Sequence, residues 1–88
     1  MVIHAYVLFK VNSGTERKTC EKLVDFEEVL VAGIIYGEYD VVAKISVPDM
    51  EKLEEFLSER IRKVPSVILT STMIVAREHK GITRRISK

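Results

Sequence analysis

Apolar and polar positions alternate with a period of two over the first segment of the chain, Ile3–Val11. This period, together with the β-branched content, predicts a β-strand. Residues 29–35, 41–47 and 67–76 are also rich in β-branched side chains and predict three further strands. The tetrapeptide Gly37-Glu38-Tyr39-Asp40 separates the second strand from the third, so these two strands are expected to form a hairpin.

Two helices are predicted between the strands. The sequence Ser13-Gly14-Thr15-Glu16 is typical of a capping box, in which the Ser13 hydroxyl accepts from the amide of Glu16. Asp49 is a good N-cap for a second helix that runs to about Arg62 and that Pro65 ends. Each helix has an apolar stripe at helical spacing, formed by Cys20, Leu23 and Val24 in the first and by Met50, Leu53, Phe56, Leu57 and Ile61 in the second.

The predicted order of elements is therefore β-α-β-β-α-β, with two similar halves that meet at the hairpin. Two βαβ units joined in this way form a ferredoxin-like α+β sandwich, in which a four-stranded antiparallel sheet carries both helices on one face. We predict one domain over residues 1–76, followed by a basic C-terminal tail over residues 77–88.

The sheet face without helices is predicted to be apolar as well. One face of the first strand carries Ile3, Ala5, Val7 and Phe9, and the other carries Tyr6 and Leu8. A solvated face of an antiparallel sheet normally has polar residues, and a sheet that is apolar on both faces exposes a larger patch than a monomer tolerates. We therefore predict an obligate homo-oligomer in which a second copy covers this face, sheet against sheet, as in a dimeric α+β barrel.

Composition excludes several kinds of site. Cys20 is the only cysteine, so no disulfide forms within the chain, and two distant histidines, His4 and His79, match no zinc-ligand spacing. No cofactor or catalytic motif is present, so we predict no cofactor, no metal and no catalytic residue. No apolar run approaches the roughly 20 residues of a membrane span, and the N-terminus lacks a signal-peptide pattern, so the predicted location is the cytoplasm.

Charge is unevenly distributed along the chain. Residues 77–88 carry a net charge of +4, and the other 76 residues carry −3. An acidic body is a poor surface for a phosphate backbone, so we predict no sequence-specific binding to nucleic acid. Two alternatives exist for the basic tail: weak contact with nucleic acid, and a solvated end or one that lies against a neighbouring subunit. The second alternative is favoured.

The bend Gly37–Asp40 is the strongest candidate for a binding site, because it is longer and more acidic than a hairpin connection needs. Glycine lets a ligand approach the backbone closely, and Asp40 can accept from an ammonium group. In the last strand Thr70 and Thr72 point to the same face and can donate to a carboxylate. We expect these groups to bind a small zwitterion, with neither Asp40 nor Thr72 on a helix-facing stripe. The alternative is that Asp40 accepts local amides and only stabilises its own hairpin.

Residues 2–76 resemble the regulatory ligand-binding domain of the Lrp/AsnC family of transcription regulators. The resemblance lies in the segments Ala5-Tyr6-Val7-Leu8, Ser13-Gly14, residues 36–44, Leu53-Glu54-Glu55-Phe56, Val64-Pro65-Ser66-Val67 and Thr70-Ser71-Thr72. It implies that the domain dimerises through its sheet, that dimers assemble into an octamer or a similar ring, and that amino acids bind between dimers. The site would be lined by Gly37, Tyr39, Asp40, Thr70 and Thr72. The family commonly has Asp where this chain has Glu38.

Met1 lies two residues before the first strand, so no helix-turn-helix precedes the domain in this sequence. The chain resembles the stand-alone form, which would sense an amino acid and modulate a full-length Lrp/AsnC-type regulator without binding specific DNA itself. Two alternatives remain. One is a small cofactor-independent enzyme of the dimeric α+β barrel type, for which only His4 qualifies as a catalytic residue. The other is an assembly subunit that binds no ligand.

Overall fold

The computed structural model describes residues 2–81, which form an α+β sandwich with a four-stranded antiparallel sheet. The elements follow one another as β1 (Ile3–Val11), α1 (Glu16–Leu23), β2 (Val29–Ile34), β3 (Val41–Val47), α2 (Met50–Glu55) and β4 (Val67–Ile74). The strand order in the sheet is β2-β3-β1-β4, so β2 and β4 are its edges. The predicted βαββαβ order is confirmed, whereas β2 and β4 end one and two residues earlier than the sequence suggested.

The inner face of the sheet forms the core with the two helices. Residues directly opposite each other in neighbouring strands share a face, and the register pairs Ala5 with Ile45, Val7 with Ala43 and Phe9 with Val41. All six side chains are buried, together with Leu23 of α1 and with Leu53 and Phe56 of the second helical segment. The alternation in β1 therefore predicted which side chains share a face, and the structure shows that Ala5, Val7 and Phe9 form the core face.

The opposite face of the sheet is apolar only in part. The strand register places Tyr6, Leu8, Val31, Val42, Leu69 and Met73 on this side, which we call the outer face, together with the polar residues His4, Lys10, Lys44, Ser46 and Ser71. Leu69 and Met73 are 54% and 50% exposed, and Val31 is similarly open to solvent. No helix among the described residues covers these side chains.

Each edge strand contains one residue that interrupts the pairing. The register of β2 shifts between Val29 and Val31, and the register of β1 with β4 shifts between Lys10 and Val11. The extra residues are Leu30 in β2 and Ile68 in β4, and both are exposed. These positions are β-bulges, which increase the local twist of a strand.

The predicted capping box at the start of α1 is wrong. The N-cap of α1 is Thr15, and no side chain makes a capping hydrogen bond there. The Thr15 hydroxyl instead donates to the carbonyl of Asn12 at 2.6 Å, in a turn where Gly14 has a φ of +87°. This turn places the first helical residue at Glu16, so Ser13 lies too far upstream to act as the N-cap.

The second helical segment begins as predicted and then changes its pitch. Asp49 is the N-cap of α2, and its carboxylate accepts from the amide of Lys52 at 2.9 Å. The helix continues through a π-helical turn at Phe56–Arg60 and a 3₁₀ turn at Ile61–Lys63. The periodicity of the sequence did not predict the π turn.

The Asp49 cap gives a direct test of this helix start. Asp49→Ala should lower the free energy of unfolding by about 1 kcal/mol, because the Lys52 amide loses its acceptor. For a domain of this size the melting temperature should fall by about 4–8 °C. Asp25→Ala is a matched control, since Asp25 is exposed in the turn after α1. Equal melting temperatures of the two variants would contradict the assigned cap.

No helix within residues 2–81 is long and apolar enough to span a membrane.

Candidate functional site

The bend between β2 and β3 is fixed by two hydrogen bonds, one made by the backbone carbonyl of Asp40 and one by its backbone amide. The amide of Ile35 donates to the Asp40 carbonyl, and the Asp40 amide donates to the carbonyl of Phe9, both at 2.9 Å. The Asp40 side chain reaches further along β1, where its Oδ2 accepts from the amide of Val11 at 3.0 Å. The bend is therefore attached to the end of β1 as well as to its own hairpin.

Asp40 thus has a structural function, but not the one left open as an alternative, because the hydrogen bond of its carboxylate joins the bend to β1 and not to its own hairpin. The pairing of β1 with β3 ends at Phe9 and Val41, so the Val11 amide, two residues further along β1, finds its acceptor in the Asp40 carboxylate and not in the regular ladder. A carboxylate can accept further hydrogen bonds through its two oxygens, so this contact is compatible with ligand binding. Lys10 supports the bend from the same strand, because its Nζ donates to the carbonyl of Glu38 at 3.0 Å.

A cavity of about 380 Å³ lies beside this bend, and we call it the bend cavity. Its lining residues come from the turn before α1, the first turn of α1 and the bend itself, namely Gly14, Glu16, Arg17, Ile34, Ile35, Tyr36, Gly37 and Asp40. The volume lies in the range of small-molecule sites.

The two glycines of the bend cavity have backbone conformations that other residues rarely adopt. Gly14 has a φ of +87° and Gly37 a φ of +146°. No atom lies within 4 Å of the place where a Cβ would stand on either residue. The glycines are therefore required by the backbone conformation, and they leave open space on the side of the cavity.

The charged groups of the bend cavity have both signs. Glu16 and Asp40 contribute carboxylates, and Arg17 contributes a guanidinium group. An ammonium group is attracted to the carboxylates, and a carboxylate forms charge-assisted hydrogen bonds to an arginine. The arrangement suits a small molecule that carries both charges.

The structure brings together only part of the predicted site within one chain. Gly37 and Asp40 line the bend cavity, whereas Tyr39, Thr70 and Thr72 are not among its lining residues. Because β1 lies between β3 and β4, Thr70 is separated from Asp40 by two strand spacings, or about 9–10 Å. The five residues remain a prediction as one site.

The threonines also lie on the other face from the one expected. Thr70 is opposite Phe9 and Thr72 is opposite Val7, so both share the inner face of the sheet with the core. The expectation that Thr72 is not on a helix-facing stripe was wrong. Thr70 is nevertheless exposed and Thr72 half-buried, because they stand on an edge strand.

Sequence reasoning missed Gly14, Glu16 and Arg17 as members of the cavity. Gly14 and Glu16 belong to the Ser13–Glu16 segment, which was interpreted only as the start of a helix. Arg17 is exposed and lies in the first turn of α1, so its position beside the bend depends on the packing of α1 against the sheet.

His4, which the enzyme alternative required, lies on the outer face of the sheet, where it belongs to a charged group. Glu78 lies between His4 Nδ1 at 3.3 Å and Lys44 Nζ at 2.7 Å. The hydrogen bond to Glu78 raises the pKa of Lys44, and the same bond lowers the pKa of Glu78. Lys44 also lies 5.7 Å from the ring centroid of Tyr6, a distance at which a cation–π contact is favourable.

Cys20 is half-buried and packs against the core, as expected for a small apolar residue. Burial raises the pKa of its thiol, and the charge of Glu21 raises it further. Within residues 2–81 no group of three or more His, Cys, Asp and Glu side chains is arranged to hold a metal ion. The residues of the C-terminal tail beyond 81 lie outside the described part of the chain.

Comparison with known proteins identifies the class to which this fold belongs. Residues 4–84 match the model of the Lrp/AsnC ligand binding domain, which covers nearly the whole chain. The protein belongs to the Lrp/AsnC ligand-binding domain family. This family is a regulatory, ligand-binding family and not an enzyme family.

Particular relatives agree with this assignment. The HTH-type transcriptional regulator FL11 of Pyrococcus abyssi is 38% identical over 79 residues, which are 90% of this chain and 52% of FL11. The leucine-responsive regulatory protein of Escherichia coli is 32% identical over 62 residues, or 70% of this chain and 38% of that protein. The chain therefore spans about half or less of the length of these curated relatives.

Among solved structures, the hypothetical protein PHS023 of Pyrococcus horikoshii is similar along most of its length. It is 42% identical, with a TM-score of 0.80, over 90% of this chain and 94% of PHS023. The ferredoxin-like fold and the family resemblance predicted from the sequence are both confirmed.

Proposed function

We propose that this domain is an oligomeric regulatory module that binds an amino acid in the bend cavity. The observation that carries the proposal is the mixed charge of that cavity, in which Asp40 and Glu16 are negative and Arg17 is positive. The chain also belongs to the Lrp/AsnC ligand-binding family. A zwitterion satisfies both kinds of group at once. The name of the leucine-responsive relative supports an amino acid as the effector.

Each part of an amino acid has a partner in this arrangement. The ammonium group donates to Asp40, and the carboxylate accepts from Arg17 and from free backbone amides of the bend. The side chain of the effector is directed to the apolar part of the cavity, formed by Ile34 and Ile35. Tyr36 also lines the cavity and its side chain is fully exposed, so it can close over a bound molecule.

Assembly is the second part of the proposal. The outer face is covered by the outer face of a second copy, since exposed apolar patches of this kind mark interaction surfaces. Thr70 and Thr72 would then reach a bend cavity of another subunit when dimers assemble into a ring. In this proposal the effector acts on the oligomer, and the module modulates a full-length Lrp/AsnC-type regulator by assembling with it.

Calorimetric titration of the protein against each of the twenty amino acids tests the effector. We expect one amino acid, or a few of similar side chain, to bind with a measurable heat. The same titration with the amide and the decarboxylated amine of that amino acid should give weaker binding, because each analogue lacks the partner of Arg17. The absence of binding by every amino acid would favour the assembly subunit without a ligand.

Arg17→Gln should weaken binding of the effector by about tenfold. Arg17 is exposed, so the lost charge-assisted hydrogen bond lies at the lower end of the usual range of about 1.5–3 kcal/mol. The control Arg62→Gln removes an exposed charge of the same type outside the bend cavity and should leave the affinity unchanged. Equal affinities of both variants, measured by calorimetry, would argue against Arg17 as a carboxylate ligand.

A further inference from the structure

A second cavity lies between α1 and the segment 64–66 that leads into β4. Its volume is about 220 Å³. Its lining residues are four side chains at helical spacing on one side of α1 and the three residues before β4, namely Thr15, Lys18, Thr19, Lys22, Val64, Pro65 and Ser66. We call it the lysine cavity. It shares no residue with the bend cavity, whose α1 residues lie on the other side of the helix.

Two hydrogen bonds hold the walls of the lysine cavity together. The hydroxyl oxygens of Thr19 and Ser66 are 2.7 Å apart, which joins α1 to the segment before β4. The amide of Asn12 donates to the carbonyl of Ser66 at 2.9 Å, which joins the same segment to the end of β1. Thr19 and Val64 are buried. The cavity is therefore pre-organised by contacts that belong to the packed interior.

The Thr19–Ser66 pair has one more donor than it uses. Two hydroxyl groups carry two hydrogens, and the contact between them uses one. Neither hydroxyl makes a further hydrogen bond within residues 2–81, although Thr19 is only 1% exposed. One hydroxyl hydrogen is thus left without an acceptor at the wall of the cavity, and a buried donor without an acceptor is costly. A group that enters the cavity and accepts this hydrogen removes that cost.

The charge of the lysine cavity indicates the kind of acceptor. Lys18 and Lys22 are its only charged lining residues within the described chain, so the lining carries +2 in a body that is acidic. The two lysines are one helical turn apart, a spacing at which like charges are destabilising. Neither forms an ion pair within residues 2–81. An anion offsets this repulsion, and an oxyanion also accepts the free hydroxyl hydrogen.

The other walls and the volume determine the rest of the ligand. Val64 and Pro65 contribute apolar surface, and the methylene stems of the two lysines add to it. An apolar cavity of about 150 Å³ is sufficient for a benzene ring, so the lysine cavity has room for a six-membered ring with a carboxylate.

We propose that the lysine cavity binds a small organic acid with an apolar body. Its carboxylate is bound by Lys18, Lys22 and the Thr19–Ser66 hydroxyl pair, and its body lies against Val64 and Pro65. The proposal does not rest on amino-acid binding in the bend cavity. A free amino acid is disfavoured in the lysine cavity, because its ammonium group is repelled by two lysines.

Calorimetric titration with three probes that share one ring tests the ligand class. We expect the wild-type protein to bind benzoate at millimolar concentration, benzyl alcohol more weakly and benzylammonium not at all. Ser66→Ala should weaken benzoate binding by about tenfold, because it removes a hydroxyl from the pair that donates to the carboxylate. A melting curve of this variant shows whether it is folded.

A pair of double variants separates the lysine cavity from general attraction of anions. Lys18→Gln/Lys22→Gln should weaken benzoate binding by about tenfold. Arg62→Gln/Lys63→Gln removes two exposed positive charges from the neighbouring turn, outside the cavity, and should change the affinity by less than about twofold. Arg17→Gln, which should weaken amino-acid binding in the bend cavity, should leave benzoate binding unchanged. If Ser66→Ala does not fold, the two double variants decide the question.

Four results would overturn the proposal. The first is no benzoate binding by the wild-type protein at millimolar concentration. The second is equal affinity for benzoate and benzyl alcohol, which would mean that the lysines contribute nothing. The third is a folded Ser66→Ala variant with wild-type affinity, or equal affinities of the two double variants. The fourth is loss of benzoate binding in Arg17→Gln, which would place benzoate in the bend cavity.

Discussion

Replacement of Leu69 and Met73 by glutamate should abolish assembly of the protein. Both side chains lie on the outer face and are about half exposed in the single chain. If a second copy covers them, each new carboxylate is buried at the interface at a cost of about 3–5 kcal/mol, from which pairing with Lys10, which stands opposite residue 69, recovers only part. The dissociation constant of the dimer should then rise by more than a factor of about 100. Light scattering and sedimentation at micromolar concentration measure the effect.

The matched control places the same two charges elsewhere. Val24 and Met50 are 52% and 46% exposed, and they lie at helix ends, away from the outer face. The double variant Val24→Glu/Met50→Glu should keep the wild-type mass in solution. A wild-type protein that is a folded species of 10.1 kDa would contradict the proposed assembly, and so would equal masses of the two double variants.

Asp40→Asn should weaken effector binding by roughly 10–150-fold with little change in melting temperature. The amide oxygen of asparagine can still accept from the Val11 amide, so the hydrogen bond that holds the bend to β1 is retained. The negative charge is lost, and with it a charge-assisted hydrogen bond of about 1.5–3 kcal/mol to the ammonium group. Asp40→Ala should lose the same affinity and also stability, because the Val11 amide loses its acceptor.

Glu38→Gln is the control for Asp40→Asn, since Glu38 belongs to the same bend but does not line the cavity. It removes one negative charge from the same region and should change affinity by no more than about twofold. Calorimetry and melting curves of all three variants distinguish the two functions of Asp40. A stable Asp40→Asn with wild-type affinity would mean that Asp40 serves only to hold the bend to β1.

The sequence predicted the sheet because its strands are rich in β-branched residues and the first of them alternates with a period of two. The alternation in β1 placed Val7 and Phe9 on one face and Tyr6 and Leu8 on the other, but both faces are largely apolar, so the pattern did not determine which face meets the helices. The start of α1 was not predictable in the same way. A capping box is a local pattern, and the turn that displaces it depends on the positive φ of Gly14 and on the Thr15–Asn12 hydrogen bond.

The candidate site was predictable only where its residues are neighbours in the sequence. The bend supplied Gly37 and Asp40, and both line the cavity. Arg17 comes from another element, and its place depends on how α1 packs against the sheet. The face of Thr70 and Thr72 depends on the register of β4 with β1, which a bulge shifts and which no residue pattern in β4 alone determines.

The two β-bulges have a consequence for the solubility of the protein. An open four-stranded sheet has two free edges, and a regular edge strand is a template to which further strands can add without limit. Here Leu30 interrupts β2 and Ile68 interrupts β4, so each edge carries an irregularity. A bulge twists the edge away from a flat partner. Growth of the sheet by edge-to-edge addition, and with it the growth of a fibre, is therefore disfavoured.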